Sequence, residues 1–355
     1  MSKLDKLQRL DLLGLTPQSQ AAPFAPVKLD EDESPLDWPD DLKAEWATQF
    51  QRASWNRFPP EHTDLTRAIA EPLGLGHEWV SLGAGVPEVL RHLLMAWCLK
   101  GTLIYPVPTD PLYGLVAQTL GIKHVAVMLK ADFTLPLEQL IGTAEAQEAS
   151  VVLVANPNNP TGNLLSRDEL LTIVRGAPSL VVVDESSIDF TGLTLADALG
   201  EHDNLVILRS FSHAWHAAGF RLGYALAHPR VITELEKVRL PHNLPTPSLL
   251  AGQMLLAHAQ ALRPRWREVV QARESLRQAL GGVRGVVTWP SAANFLLVGT
   301  TMPGVELARR LLEMGILVRT FTRSPLLNCV RVTVGDAEAN AAFLAAMQEI
   351  FGLAG

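Results

Sequence analysis

The chain has 355 residues, which at about 150 residues per domain predicts two domains, or one large domain with an appendage. Hydrophobic residues make up 48% and charged residues 19% of the chain, enough apolar material for a sizeable core, and this excludes general disorder. Its 30 Lys and Arg against 37 Asp and Glu give a formal charge of −7, which argues against nucleic acid as the main partner.

The sequence has no pattern typical of a membrane-spanning, secreted or disulfide-stapled protein. Apolar runs such as Val151 to Ala155 fall far short of the roughly 20 residues that span a membrane. The N-terminal stretch MSKLDKLQRLDLLG is amphipathic and charged, without the apolar core of a signal peptide. Cys98 and Cys329 are too few and too isolated for a disulfide framework or a zinc site. We therefore expect a cytoplasmic protein without a metal centre and without a membrane partner.

The first segment of the chain, residues 1–45, is predicted to be an irregular N-terminal arm. It carries an acidic run in which seven of the twelve residues from Asp30 to Asp41 are Asp or Glu, interrupted by Pro35 and Pro39. Runs of like charge usually lie in solvent, so composition alone favours a solvated loop here.

Residues 46–243 are predicted to form a large α/β domain, because short apolar strands alternate with helical patterns from about residue 60. The strands are Thr102–Tyr105, His124–Met128, Val151–Val154, Leu180–Val183 and Leu205–Leu208, and helices include Val89–Leu99, Arg167–Arg175 and Val231–Val238. Near-continuous apolar strands separated by helices predict a parallel or mostly parallel sheet that is covered on both faces.

Residues 244–355 are predicted to form a smaller α+β domain. A long helical pattern runs from about Ser248 to Leu280 and ends at Gly281-Gly282, which is a helix-end signal. The elements predicted after it are a strand at Asn294–Val298, a helix at Val305–Met314, strands at Leu317–Thr320 and Val330–Val334, and a terminal helix.

Two strands of the large domain end in polar motifs. Asn156 to Gly162, with the sequence NPNNPTG, follows the strand Val151–Val154, and Asp184-Glu185 ends the strand Leu180–Val183. Ligands of open α/β sheets bind at the carboxyl ends of the strands, although a turn, an exposed strand end or a nucleotide-binding acid is compatible with each motif alone. No G-x-x-x-x-G-K-[ST] sequence occurs, and the turn at Gly83 to Glu88 lacks the third glycine of a dinucleotide fingerprint. The motifs therefore indicate a different cofactor.

The segments ANPNNPTG, VVVDESSIDF and LRSFSHAWHAAGFRLGYALA, in this order and spacing, resemble the fold-type I pyridoxal-phosphate (PLP) aminotransferases. The histidinol-phosphate aminotransferase group matches best, with threonine-phosphate decarboxylase as a near relative. KLDEDESPL, NRFPP, SLGAGVPE, AANFLLV and VRVTVG match further family segments. The resemblance implies a mostly parallel, seven-stranded-type sheet with helices on both faces, a smaller α+β domain, PLP as cofactor and a place in amino-acid biosynthesis.

The resemblance also implies roles at matching positions. Asp184 stands where the family has the carboxylate that pairs with the pyridine nitrogen of PLP, and Asn159 where an amide donates to the phenolic oxygen. The residues that match the cofactor-phosphate site are Arg221, Ser210, Ser212, Gly85 and Val86. A salt bridge or a strand-end cap is the structural alternative for these side chains.

Arg331 matches the arginine that receives the substrate's carboxylate or phosphate, and Asn294 and Ser34 match other substrate-binding positions. The expected ligand is therefore a small anionic compound, a phosphorylated or carboxylated amine. The family builds its site from two subunits, so we expect a homodimer in which the segment around Arg57-Phe58 crosses the interface.

The same site departs from the family pattern at five places. The lysine that forms the imine with PLP belongs at position 213, where this chain has His213, a possible general base that cannot form a stable imine. Asp110 replaces the aromatic ring that stacks on the cofactor. The other three are Ser187 and Phe58, each in place of a tyrosine, and Val86-Pro87 in the phosphate turn, where Pro87 removes a backbone N–H.

Three interpretations follow from these departures. The first is an aminotransferase-family protein that no longer transaminates and binds PLP non-covalently or not at all, a pseudoenzyme. The second is an active enzyme of altered mechanism that uses the amine form of the cofactor with His213 as base, as certain sugar dehydratases of the superfamily do. The third is an ordinary aminotransferase that tolerates the losses. Function depends on the site and not on the fold, and this favours the first interpretation.

Overall fold

The computed structural model describes residues 7–9, 12, 13, 15 and 23–353, and the other residues of the predicted N-terminal arm lie outside the described part. Most strands belong to a seven-stranded large sheet with the order β2-β8-β7-β6-β5-β3-β4. Its strands are β2 (Val80–Gly83), β3 (Thr102–Val107), β4 (Lys123–Met128), β5 (Val151–Ala155), β6 (Leu180–Asp184), β7 (Leu205–Ser210) and β8 (Gly223–Ala227). All pairs are parallel except those that β8 makes with β2 and β7.

The apolar strands of the large sheet are buried on both faces, as the sequence predicts. In β5, Val152 and Val154 belong to the hydrophobic cluster on one face, whereas Val151, Leu153 and Ala155 belong to the cluster on the other. Helices cover the two faces, because a parallel sheet without solvent contact needs an apolar layer on each side. The edge strand β2 and its neighbour β8 were not among the strands predicted from the sequence.

The α-helices of the described chain are, in chain order, α1 (Asp40–Arg52), α2 (Thr63–Ala70), α3 (Val86–Trp97), α4 (Pro111–Leu120), α5 (Leu137–Ala146), α6 (Arg167–Gly176), α7 (Pro229–Val238), α8 (Thr246–Ala257), α9 (Ala259–Leu280), α10 (Gly304–Glu313) and α11 (Ala337–Phe351). The prediction of one helix over about 248–280 is wrong, because α8 and α9 are separated at His258. His258 has φ −98° and ψ 13°, outside the helical region, and its ring lies 3.1 Å from the carboxylate of Glu45. A one-residue interruption leaves the apolar pattern nearly unchanged, so periodicity cannot reveal it.

A five-stranded small sheet has the order β1-β11-β12-β10-β9. Its strands are β1 (Val27–Leu29), β9 (Val286–Thr288), β10 (Phe295–Thr300), β11 (Ile316–Thr320) and β12 (Cys329–Thr333). β1 is parallel to β11, and the other pairs are antiparallel. The predicted domain boundaries at residues 45 and 243 stay a prediction. Strand β1, from the N-terminal segment, completes the sheet that the C-terminal segment forms.

The acidic run that follows β1 is only partly in solvent. Asp30 and Asp32 are 7% and 5% exposed, so the interpretation of this run as a solvated loop is wrong for these two residues. The other five acidic residues of the run are exposed. Pairing of β1 with the small sheet brings Asp30 and Asp32 against the interior, which composition alone does not indicate.

Among the residues that the structure describes, no helix combines the length and the apolar character needed to cross a membrane. Within the same residues, no group of three His, Cys, Asp or Glu side chains is arranged to hold a metal ion. Cys98 and Cys329 are both buried free thiols.

Candidate active site

The ends of several large-sheet strands meet at one edge. Ala155 at the end of β5 is paired with Asp184 at the end of β6, and Asp184 with Leu208 of β7. Ser210 at the end of β7 is paired with Gly223 at the start of the antiparallel β8. The polar motifs that follow these strands therefore lie along a single edge of the sheet, as expected for a ligand cleft of an α/β protein.

Asp184, at the end of β6, is buried. Its Oδ2 accepts a hydrogen bond from the hydroxyl of Tyr113 at 2.8 Å, and its Oδ1 accepts from the backbone N–H of Ser186 at 3.0 Å. Burial raises the pKa of Asp184, while the hydrogen bonds from Ser186 and Tyr113 act in the opposite direction. Tyr113 was not among the predicted site residues; its place in the first turn of the helix that follows β3 was the only available signal.

Asp110 is the N-cap residue of α4. Its Oδ1 accepts a hydrogen bond from the backbone N–H of Leu112 at 2.9 Å, which caps the helix. Its Oδ2 accepts a hydrogen bond from the side-chain amide of Asn159 at 3.1 Å. Both oxygens of the Asp110 carboxylate therefore accept hydrogen bonds from within the chain. The Asn159 amide, which the resemblance assigns to the cofactor, donates to Asp110 instead.

The predicted phosphate-site residues lie together around the start of α3. Gly85 has φ +80° and caps this helix, and a Cβ at Gly85 would lie 2.7 Å from Nη2 of Arg221. Nη1 of Arg221 donates to Oγ of Ser212 at 3.4 Å, and the backbone N–H of Ser212 donates to Oγ of Ser210 at 3.0 Å. An exposed guanidinium, two hydroxyls and a helix N-terminus form a cradle that suits an anion, although Pro87 supplies no N–H to it.

His213 lies beside this cradle, half-buried, with Nδ1 2.8 Å from the backbone carbonyl oxygen of Asp32. A carbonyl oxygen only accepts, so Nδ1 carries the proton of this hydrogen bond. In the neutral ring, Nε2 then has a free lone pair and can take up a proton. The geometry thus gives His213 the tautomer and the fixed orientation of a general base.

Arg331, Asn294 and Asn159 come together around Asp32. Nη1 of Arg331 lies 2.6 Å from Oδ2 of Asp32 and 2.7 Å from the side-chain oxygen of Asn159, to which it donates. The amide nitrogen of Asn294 donates to the carbonyl oxygen of Asp32 at 2.8 Å. Burial, the largest cause, raises the pKa of Asp32, and Arg331 opposes this shift. Asp32 was not predicted as a site residue, because an acidic run gives no local sign that one member will be buried.

The remaining predicted residues lie in different surroundings. Ser34 is hydrogen-bonded through its hydroxyl to Nδ1 of His216. Ser187 is half-buried three positions after Asp184. Phe58 is 79% exposed, and its ring stacks on that of His242 at 4.6 Å between centroids.

These residues fit part of PLP. The cradle at Arg221 and Gly85 fits a phosphate, and the buried carboxylate of Asp184 fits a protonated pyridine nitrogen. The imine carbon of PLP requires a primary amine, and position 213 has an imidazole. Lys28, in strand β1 before the acidic run, is bound to Glu31 and Glu33. The site therefore has groups that suit a phosphate and a protonated ring nitrogen, and an imidazole at position 213.

Comparisons with known proteins agree with this fold. Residues 26–347 match the family model for aminotransferase class I and II. The histidinol-phosphate aminotransferase of Synechococcus sp. (strain JA-2-3B'a(2-13)) is 39% identical over 350 residues, which cover 96% of this chain and 98% of the relative.

Solved structures share the fold. The histidinol-phosphate aminotransferase of Sinorhizobium meliloti, solved in complex with pyridoxal-5'-phosphate, has a TM-score of 0.86 at 22% identity, with 95% of this chain and 97% of that chain covered. The L-threonine-O-3-phosphate decarboxylase of Porphyromonas gingivalis has a TM-score of 0.81 at 22% identity, with 91% and 99% covered. The predicted resemblance and the fold-type I architecture are confirmed.

Proposed function

Because this chain belongs to the aminotransferase class I and II family, we propose that it binds a small phosphorylated or carboxylated amino compound and does not carry out ordinary transamination. The observation that carries the proposal is His213, which by resemblance stands in place of the lysine. Transamination needs a primary amine that forms an imine and then moves a proton. The imidazole of His213 is hydrogen-bonded to a backbone carbonyl instead.

The hydrogen bonds of the cleft support the same proposal. Asn159 donates to Asp110 and accepts from Arg331, so the groups that would bind a cofactor ring and a substrate bind one another. Asp110 also offers no π-face for a pyridine ring to stack on. Two departures in the cleft, His213 and Asp110, each have their own partner in the chain, as a site no longer used for imine chemistry would.

PLP remains the cofactor that family resemblance favours, and we propose that it binds non-covalently if at all. Arg221, Ser212 and Ser210 would hold its phosphate, and Asp184 would face its ring nitrogen. When bound, PLP supplies an electron sink.

One observation favours a second candidate, an enzyme of altered mechanism with His213 as general base. The hydrogen bond from Nδ1 to Asp32 leaves Nε2 of the neutral ring free to accept a proton. This candidate keeps the amine form of the cofactor and needs no imine with the protein.

The proposal is tested by reduction with borohydride after incubation with PLP. Peptide mass mapping of residues 210–221 should find no pyridoxyl adduct in the wild-type protein, and the His213→Lys variant, as positive control, should gain one. An adduct on the wild-type segment, or rapid transamination of a phosphorylated amine with 2-oxoglutarate, would overturn the proposal. Proton exchange at the substrate's Cα in wild type, abolished in His213→Ala, would favour the second candidate.

The anion cradle is tested separately with Arg221→Ala. Removing a guanidinium from a phosphate typically costs about 1.5–3 kcal/mol of binding free energy, so pyridoxine phosphate should bind at least about tenfold more weakly to the variant. Unchanged affinity by calorimetry would show that the phosphate binds elsewhere.

A homodimer and a cytoplasmic location are part of the proposal. Three large apolar side chains, Trp55, Phe58 and Leu240, are 69%, 79% and 70% exposed in the single chain. Large apolar side chains that are this exposed favour contact with another chain. Light scattering at micromolar concentration should give twice the monomer mass, and a monomer would contradict this; fractionation of producing cells would test the location.

A further inference from the structure

A carboxylate of the chain itself, that of Asp32, lies in the cleft against Arg331. Oδ2 of Asp32 is 2.6 Å from Nη1 of Arg331, and both side chains are less than a tenth exposed. Oδ1 of the same carboxylate accepts a hydrogen bond from the hydroxyl of Thr333 at 3.3 Å. Asp32 thus occupies the guanidinium in the way that a bound carboxylate would.

We propose that Asp32 determines ligand specificity: its carboxylate fills the anion position at Arg331, so that the cleft rejects ligands that present a carboxylate there. The proposal rests on the proposed function, because it takes this cleft as the ligand site. It adds the ligand class: a phosphorylated amine whose other end carries no carboxylate.

Both terminal nitrogens of Arg331 already bind groups of the chain, and only the buried Nε has no hydrogen-bond partner. Nη2 donates to the carbonyl oxygen of Asp30 at 2.6 Å, and Nη1 serves both Asp32 and Asn159. A ligand carboxylate would have to displace Asp32 and leave that carboxylate buried without its cation, which is strongly unfavourable. A ligand that keeps the ion pair avoids this cost.

A second carboxylate makes the same side of the cleft more negative. The side-chain amide of Asn159 donates to Asp110 at 3.1 Å and approaches Asp32 at 3.5 Å. Two carboxylates thus share one amide beside a single arginine. Such a surface repels a ligand carboxylate and favours an uncharged or amino-bearing group.

The backbone of Asp32 is anchored, so the carboxylate is a fixed part of the cleft. Its N–H donates to Oγ1 of Thr333 at 2.9 Å, and its carbonyl oxygen accepts from His213 and Asn294. Asp32 has φ +56°, a conformation that Asp, Asn and Gly adopt more readily than other residues.

The test uses two ligands that differ only in a carboxylate, O-phosphoethanolamine and O-phosphoserine, and the full-length wild-type, Asp32→Asn and Asp30→Asn proteins. Asp32→Asn removes the charge and keeps the shape and the positive φ. Asp30→Asn is the matched control, because Asp30 is buried in the same loop but its carboxylate faces Lys28 at 3.3 Å. Asp32→Gly, which also accepts positive φ, replaces Asp32→Asn if circular dichroism shows the latter unfolded.

Calorimetry should show that wild type and Asp30→Asn bind O-phosphoethanolamine at least about tenfold more tightly than O-phosphoserine. In Asp32→Asn the preference should disappear or reverse, because Arg331 is then free to bind the ligand carboxylate. Equal affinities in wild type, or a preference that Asp32→Asn leaves unchanged, would overturn the specificity proposal while the proposed function stands. Binding of neither compound to any of the proteins would overturn the proposed ligand class and the specificity proposal with it.

Discussion

Gly223 offers the sharpest test of how the anion cradle is built. It begins β8 between the ends of two neighbouring strands, opposite Gly83 of β2 and Ser210 of β7. A Cβ at this position would lie 2.6 Å from the backbone nitrogen of Val86 and 2.8 Å from the carbonyl carbon of Gly85. These are backbone atoms, so no change of side-chain rotamer can relieve the clash.

Gly223→Ala should therefore displace either the strand or the turn. Forcing one extra methyl group into close packing typically costs about 1–3 kcal/mol of folding free energy. Because the displaced turn is the one against which Arg221 lies, we also expect phosphate affinity to fall about tenfold, the equivalent of one charge-assisted hydrogen bond.

The matched control is the same substitution at Gly142, inside helix α5. A Cβ there would meet nothing within 4 Å, so Gly142→Ala should stabilise the protein by about 0.5–1 kcal/mol through helix propensity. Urea unfolding followed by circular dichroism gives the midpoints, and calorimetry gives the affinity for inorganic phosphate. A Gly223→Ala midpoint equal to or above that of wild type would refute the packing argument. A lower midpoint with unchanged phosphate affinity would refute the assignment of the turn as the anion site.

Three further predictions concern chemistry, pH and the buried charges. His213→Lys should form a reducible imine with PLP, yet transaminate at least about a hundredfold more slowly than Asp110→Tyr combined with His213→Lys, because the ring still lacks a stacking surface; equal rates would show that Asp110 is tolerated. Burial lowers the pKa of His216 from 6.5 to about 4, so between these values the unfolded chain binds a proton that the folded chain excludes. The free energy of unfolding should fall by at most about 3 kcal/mol as the pH drops through this window. Unfolding curves at several pH values should show that this free energy depends less steeply on pH in His216→Asn than in wild type; an equally steep dependence would contradict the assignment to His216. Arg209→Met leaves Glu185, whose side chain is fully buried 2.8 Å from the guanidinium, without its cation, and should destabilise the protein by about 3–5 kcal/mol; a change in the urea midpoint within error would show that other groups compensate.

The sequence by itself determined the class of the fold and five of the seven strands of its large sheet. A strand buried on both faces needs an uninterrupted apolar run, and this local requirement is visible in β5, β6 and β7 without any knowledge of their neighbours. The polar motifs that follow these strands were likewise identifiable, because the end of a parallel strand is where a chain can turn polar. Asp184 and Asn159 belong to these motifs, and the family resemblance gave them their expected roles.

The contacts within the cleft were decided only by the tertiary structure. Asp32 meets Thr333, 301 positions later in the chain, and Tyr113 meets Asp184 across 71 positions. An acidic residue that pairs with a distant arginine has the same local sequence as one that lies in solvent, since burial depends on what packs against it. The composition of the loop therefore predicted solvent exposure, and the pairing of β1 with β11 brought Asp32 to Arg331 instead.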